Sequence, residues 1–349
     1  MPDPLPPVRR HNACERAQKE RMVATTNDTA VPDVVVADEH ARRQDVQTGR
    51  VAVVGSLNMD LVARAPRLPR PGETLAGRAF AQVAGGKGGN QAVAAARLGA
   101  RVAMIGCVGA DANGEALRAG LAGEGIDCAA LETAAHAPTG VALIVVDDSS
   151  QNAIVIVAGS NGTVTPDTIA RHEAVLAHAD VVICQLETPT DAVLAALTTA
   201  RRLNKTTILN PAPATGPLPD GWLPLVDWLV PNELEAAALT GLAVTSPGEA
   251  LLAADALRAV GARNVVVTLG AQGVGVLIGD EPAAHWPAQP VAAVDTTAAG
   301  DTFIGGLAAQ LASGVAPRDA IGFAQRAAAL SVTRAGAQPS IPTLAELRD

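Results

Sequence analysis

The sequence predicts an α/β fold: a central, mostly parallel sheet between two helical layers, a Rossmann-like three-layer αβα arrangement, with a small β-sheet lid beside it. Three observations lead there. From residue 51 onward, short apolar runs alternate with stretches of helical spacing, the pattern of successive βαβ units. Hydrophobic residues make up 48% of the chain, aromatics only 2%, and Tyr is absent, so the core must be built from Ala, Val and Leu, which suits helices on a Val-rich parallel sheet. Two stretches break the rhythm with period-2 alternation and turn residues.

Residues 1–49 begin with Pro2, Pro4, Pro6 and Pro7 and continue with mixed charges and little periodicity. They read as a disordered N-terminal tail, within which Met22 offers an alternative start. The folded domain is expected over 50–345. Its strands are expected at 51–54, 102–105, 181–184, 207–210, 228–230 and 265–269, and its helices at 90–98, 114–122, 190–203, 233–239, 250–260, 301–312 and 318–333. The exceptional stretches are 59–83 and 139–158, the second with a hairpin turn at 147–152. A small sheet beside the strand ends of an open α/β fold is placed to cover a substrate, hence a lid.

Composition excludes several classes. A net charge of −9, with no basic stripe interleaved with aromatics, argues against nucleic acid as a partner. Cys14, Cys107, Cys128 and Cys184 are scattered without a C-x-x-C pair, which argues against a zinc site or a disulfide framework and fits a reducing cytoplasm. No apolar run approaches the roughly 18 residues that span a bilayer, and no signal-peptide pattern opens the chain, so no membrane role is expected.

The chemistry-bearing motifs fall at expected strand ends and helix starts. Gly85-Gly86-Lys87-Gly88-Gly89-Asn90 leads into an Ala-rich helix, and its glycines let backbone approach a ligand; a Gly-rich turn with an exposed Lys explains it too. It is not a Walker A loop, because no Ser or Thr follows Lys87. The run from Asp295 to Thr302 opens another helix. There the N–H groups of Ala299, Gly300 and Asp301 can form an anion hole at a positive helix end, with Asp301 accepting a hydroxyl proton during phosphoryl transfer. Asp301 as a plain helix cap is the alternative. Asn58 and Asp60 follow the first strand, where open α/β folds bind ligands, though both are common turn residues. Glu187, Asn232 and Glu235 sit at equivalent strand ends. Asn-x-x-Glu reads either as a capping box or as carboxylate that organises hydrated Mg²⁺. The Thr268–Gly273 run leaves room for a nucleotide, or is a tight turn.

Taken together, GGKGGNQAVAAARLGA and DTTAAGDTFIGG resemble the two signatures of the ribokinase-like (PfkB) carbohydrate kinases, over about 300 residues from Val51 onward. The resemblance implies ATP-dependent phosphorylation of D-ribose at O5. It implies sugar contacts from Asn58, Met59, Asp60, Gly86, Lys87, Gly88, Gly89, Asn90 and Glu187, with Asp301 as base. ATP would lie on Asn232, Thr268, Leu269, Gly270, Ala271, Gln272, Gly273, Gly300, Asp301 and Gln325, with Mg²⁺ near Glu187, Asn232 and Glu235. An activating K⁺ would sit at Asp295, Thr297, Ser331, Arg334, Gly336 and Ser340, and a homodimer would form through the lid. Gln325 stands where members often have His near the adenine, and Ile304 replaces a common Asn.

Two other readings compete. Within the same class, the sugar is deoxyribose, another pentose, a ketohexose or a nucleoside. From a different class, the chain is a non-catalytic sugar or nucleotide sensor on the same scaffold, against which an intact Asp301 and its anion hole argue. A dinucleotide-dependent oxidoreductase is disfavoured because SLNMD, not G-x-G-x-x-G, follows the first strand.

Overall fold

In β1 (Arg50–Val54) the side chains divide between two cores: Ala52 and Val54 face one, Val51 and Val53 the other. A strand buried on both faces is what a sheet between two helical layers requires. The computed structural model describes residues 48–149 and 151–348, so the expected tail at 1–49 lies outside the described residues except for its last two.

Beyond β1 the chain forms β2 (Asn58–Arg64), β3 (Ala79–Gly85), α1 (Lys87–Arg97), β4 (Arg101–Gly109), α2 (Ala112–Gly123), β5 (Leu131–Ala134), β6 (Gly140–Val146) and β7 (Asn152–Val157). Next come α3 (Pro166–Arg171), α4 (Glu173–His178), β8 (Val181–Cys184), α5 (Thr190–Arg202), β9 (Thr206–Leu209), β10 (Trp228–Leu229), α6 (Glu233–Thr240) and α7 (Pro247–Ala259). The order ends with β11 (Asn264–Thr268), β12 (Val274–Ile278), β13 (Ala284–Trp286), α8 (Ala299–Ala312) and α9 (Pro317–Ser331). Helix starts carry local signals, such as Asp111 accepting from the Gly114 N–H and Thr165 closing a capping box with Thr168.

The large sheet has the order β13-β12-β11-β10-β9-β8-β1-β4-β5. Its strands run parallel from β5 to β11, and β12 and β13 continue it antiparallel. Helices α1, α2, α8 and α9 pack on one face and α3 to α7 on the other. A second sheet, β3-β2-β6-β7, pairs β2 in parallel with β6 and otherwise antiparallel. All six expected core strands lie in the large sheet. β5 and β13 went unforeseen because three or four residues carry too little pattern, and the six-residue helices α3 and α4 are too short for a 3.6 period to declare itself.

One contact fixes the geometry that matters below. Gly305 of α8 faces α1 so closely that a Cβ there would stand 2.4 Å from Ala94 Cβ. Only glycine permits that approach, which brings the start of α8 against the start of α1.

Candidate active site

Parallel strands end on a common edge, and the loops leaving β1, β8, β10 and β11 meet there with the first turns of α1, α6 and α8. Asn58, which begins β2, is buried and accepts from Asn161 Nδ2 at 2.8 Å. Met59 points the opposite way, into the core, as strand alternation requires. Asp60, half-buried, is packed against Gly85, where a Cβ would stand 2.3 Å from the carboxylate. Burial first, then the charges of Glu187 and Asp301, push its pKa up to about 7.

Gly86 turns the chain into α1 at φ +83°, a left-handed conformation beside the Asn58 backbone that disfavours any side chain. The Lys87 N–H donates to Glu187 Oε2 at 3.1 Å, and Ser56 Oγ donates to the same oxygen at 2.5 Å. The N–H groups of Gly88 and Gly89 are given to Ser56, at 3.3 Å to its hydroxyl and 2.9 Å to its carbonyl. These two glycines therefore bind α1 to the β1 loop. Burial alone would lower the pKa of the Lys87 ammonium; the carboxylates of Asp301, Glu187 and Glu235 outweigh it and raise the value. Lys87 thus stays charged among acids.

Asp301 lies in the first turn of α8, 8% exposed. It does not cap its helix: the N-cap is Ala298, at φ +60° and without a side-chain bond. The carboxylate instead accepts from two α1 side chains, Asn90 Nδ2 at 3.0 Å and Gln91 Nε2 at 2.9 Å. Just before it, the Ala299 N–H reaches the Thr296 carbonyl at 3.3 Å, whereas those of Gly300 and Asp301 meet no acceptor among the described residues. Two free donors at a helix start, beside a buried carboxylate, suit an anion next to a base.

On the other side, Asn232 and Glu235 form a full capping box: Asn232 Oδ1 accepts from the Glu235 N–H at 2.8 Å, and Glu235 Oε2 accepts from the Asn232 N–H at 2.9 Å. Capping is therefore present, and Glu235 remains an acid whose pKa burial raises, with part of the rise offset by Asn232 and Lys87. Thr268 ends β11, and Leu269, Gly270, Ala271, Gln272 and Gly273 make a tight turn closed by the Leu269 N–H on the Gly273 carbonyl at 2.8 Å. That turn presses on β13, since a Cβ on Gly273 would stand 2.1 Å from the Trp286 carbonyl oxygen. Gln325 donates to the same carbonyl at 3.3 Å.

The expected cation residues are only partly gathered. Asp295 Oδ1 accepts from the Thr297 N–H at 2.9 Å and hydroxyl at 2.6 Å, and Oδ2 from the Gly336 N–H at 2.9 Å. Burial raises its pKa, but these bonds prevail and hold it below the usual carboxylate value. Ser331 and Ser340 are buried with their hydroxyls on the Ala328 and Ala337 carbonyls, and the Arg334 side chain pairs with Glu346.

Sequence reasoning passed over Ser56, Gln91, Asn161 and Asn210. Asn161 brackets Leu57, accepting its N–H at 2.8 Å and donating to its carbonyl at 3.0 Å. Only Gln91 left a signal, a large polar residue inside an alanine run.

With this geometry in view, the comparisons agree. The pattern of the pfkB family carbohydrate kinases matches residues 48–344. The chain is 44% identical over 296 residues to the ribokinase of Haemophilus influenzae, covering 85% of this chain and 96% of that one. It is 42% identical over 302 residues to the ribokinase of Mus musculus, covering 86% and 94%. The structure of Arabidopsis thaliana ribokinase complexed with ribose and ATP superposes with a TM-score of 0.81 at 31% identity, covering 86% of this chain and 98% of that one. Fold, site and sequence converge, and the chain belongs to the pfkB family of carbohydrate kinases.

Proposed function

We propose that the chain is an ATP-dependent ribose kinase that transfers the γ-phosphoryl group to O5 of D-ribose, with Asp301 as the base. The observation that carries the reading is Asp301 itself: buried, held by side chains of another helix, and beside the N–H groups of Gly300 and Asp301, which meet no acceptor among the described residues. A sugar hydroxyl loses its proton late in a loose transition state, so a carboxylate can take it while the helix start receives charge growing on the phosphoryl oxygens. Asn58, Asp60, Lys87, Asn90 and Glu187 are the sugar-facing set. Relatives named ribokinase support ribose over other sugars.

The acids at the cleft offer hard oxygen donors, which suit Mg²⁺ bound mainly through phosphates and water. Bound Mg²⁺ would neutralise phosphate charge, with Glu187, Asn232 and Glu235 orienting its water shell. Asp295 and the Thr297 hydroxyl, with backbone carbonyls around 331–336, fit a large monovalent cation such as K⁺, whose binding would steady the loop before α8. The small sheet would close over the sugar as a lid. Its exposed Phe80, Leu143, Val155 and Val157 share one face and form an apolar surface that pairing with a second copy would cover.

Incubation with ribose, ATP, Mg²⁺ and K⁺ should give ribose 5-phosphate, identified by mass and by its reaction with a phosphopentose isomerase. Absence of product, or a kcat/KM higher for 2-deoxyribose, a ketohexose or a nucleoside, would refute ribose as the substrate.

A further inference from the structure

Gln91 is fully buried on α1, between Asn90 and the alanine run that packs on the sheet. Both its N–H bonds and its carbonyl oxygen are engaged. Nε2 donates to Asp301 Oδ1 at 2.9 Å and to Asn210 Oδ1 at 3.2 Å, while Oε1 accepts from Gln185 Nε2 at 2.6 Å. The two ends of an amide are alike in shape, but here chemistry assigns them. An ionised carboxylate only accepts, so the Gln91 edge facing Asp301 is its NH₂. Asn210 gives the same answer independently: its Nδ2 donates to the Val230 carbonyl at 2.9 Å and to Glu235 Oε2 at 3.4 Å, which leaves its oxygen for Gln91.

A carboxylate held through one oxygen still swings about its last torsion, which has broad minima. Asn90 holds Oδ2 of Asp301, and Asn90 also faces the sugar; Gln91 holds Oδ1 from a position with no solvent access. We propose that Gln91 is a positioning residue for the phosphoryl-transfer base. Its buried amide, clamped by Asn210 and Gln185, fixes the plane in which Asp301 meets the sugar hydroxyl. Through Asn210 and Glu235 the same chain of amides joins the base to the Asn232 capping box on the nucleotide side. The inference rests on the reading of Asp301 as the base.

The test compares Gln91→Met, Gln91→Glu and Gln185→Met in the full chain, with turnover expressed per sugar-binding site counted by calorimetry, so that misfolded protein does not enter. Both Gln91 variants should lose about 10- to 100-fold in kcat, the range expected when a reacting group is misaligned. Their KM for ribose should stay within about threefold, because the sugar contacts remain. Gln185→Met removes only the bond to Oε1 and should lose less than about fivefold. If Gln91→Met does not fold, Gln91→Glu, nearly identical in shape, carries the test. A per-site kcat within about threefold of the parent in the recovered Gln91 variants overturns the proposal, as does a loss confined to KM. An equal kcat loss in Gln185→Met marks general core damage and overturns it too. Should the parent leave ribose unreacted, the substrate reading fails by itself, and the same comparison is run with the sugar that the parent does phosphorylate.

Discussion

On the proposed sugar side of the cleft, recognition is built from buried and half-buried side chains: Asn58, Asp60, Lys87, Asn90, Glu187 and Asp301. On the proposed nucleotide side it is built largely from backbone, the turn at 269–273 and the N–H groups of Gly300 and Asp301. The materials imply different selectivities. A buried side chain left without its hydroxyl partner costs about 1–3 kcal/mol, so the sugar side can reject a wrong stereoisomer sharply. Backbone at a helix start reads phosphate charge, which every nucleoside triphosphate carries, so the nucleotide side should tolerate change.

The largest effect expected on this contrast is from Asp301→Asn. It should lower kcat about 10²- to 10⁴-fold, the span of a general base, while calorimetry finds ribose binding within about threefold of the parent. An asparagine variant as fast as the parent would remove Asp301 from the chemistry. Next comes Asp60→Asn, which should weaken ribose binding about 10- to 100-fold, the worth of hydrogen bonds to a charged acceptor.

Asp60 also predicts a pH dependence. Its folded pKa of about 7 is raised above the ordinary 3.8, so the folded protein holds a proton that the unfolded chain releases. The sign follows: protonated Asp60 favours the folded state, and that contribution is lost as pH rises through the folded value. Sugar hydroxyls donate to the ionised form, so ribose affinity should rise over the same interval and level off above it. In Asp60→Asn the ribose KM should be flat across that range; a parent KM that is already flat would place the titration elsewhere.

Smaller effects belong to the nucleotide side. Exchanging K⁺ for a bulky organic cation should slow turnover about tenfold, an ordinary strength of coupling between two sites, and Asp295→Ala should abolish the difference. Gln325→Ala should change the KM for ATP by less than about threefold, since its amide is spent on the Trp286 carbonyl. A much larger change would mean that side chains govern nucleotide binding after all, and the contrast between the two sides would fall.

What could be read from sequence follows how far apart partners lie along the chain. Core strands announced themselves because β1 beyond Arg50 and β8 are continuous apolar runs, and 181–184 was legible to the residue. The capping box at Asn232 and Glu235 spans four residues and is equally visible. For Asp301, the local sequence left base and cap undecided; the structure removes the cap, since Ala298 holds that place, and ties the carboxylate to a partner 210 residues away, Gln91. Asn161 was invisible for the same reason: its bond to Asn58 spans 103 residues, and nothing near 161 advertises it. At Gly88 and Gly89 the glycines were legible but their use was not. A glycine tolerates both a ligand and a neighbouring loop, and here the loop at Ser56 takes their N–H groups.

The contact between Trp286 and the 269–273 turn has an optical consequence. The chain has three tryptophans and no tyrosine, so its near-ultraviolet emission comes almost wholly from indole. Trp222 and Trp228 are 3% and 4% exposed, whereas Trp286 is half-buried at the end of β13 with the Arg318 guanidinium 5.7 Å from its ring centre. A dissolved quencher therefore reaches Trp286 before the other two, and a nucleotide that shifts the turn alters the most accessible emitter. The protein carries its own gauge of one half of the cleft, while the half proposed to hold the sugar has no such reporter among its named residues.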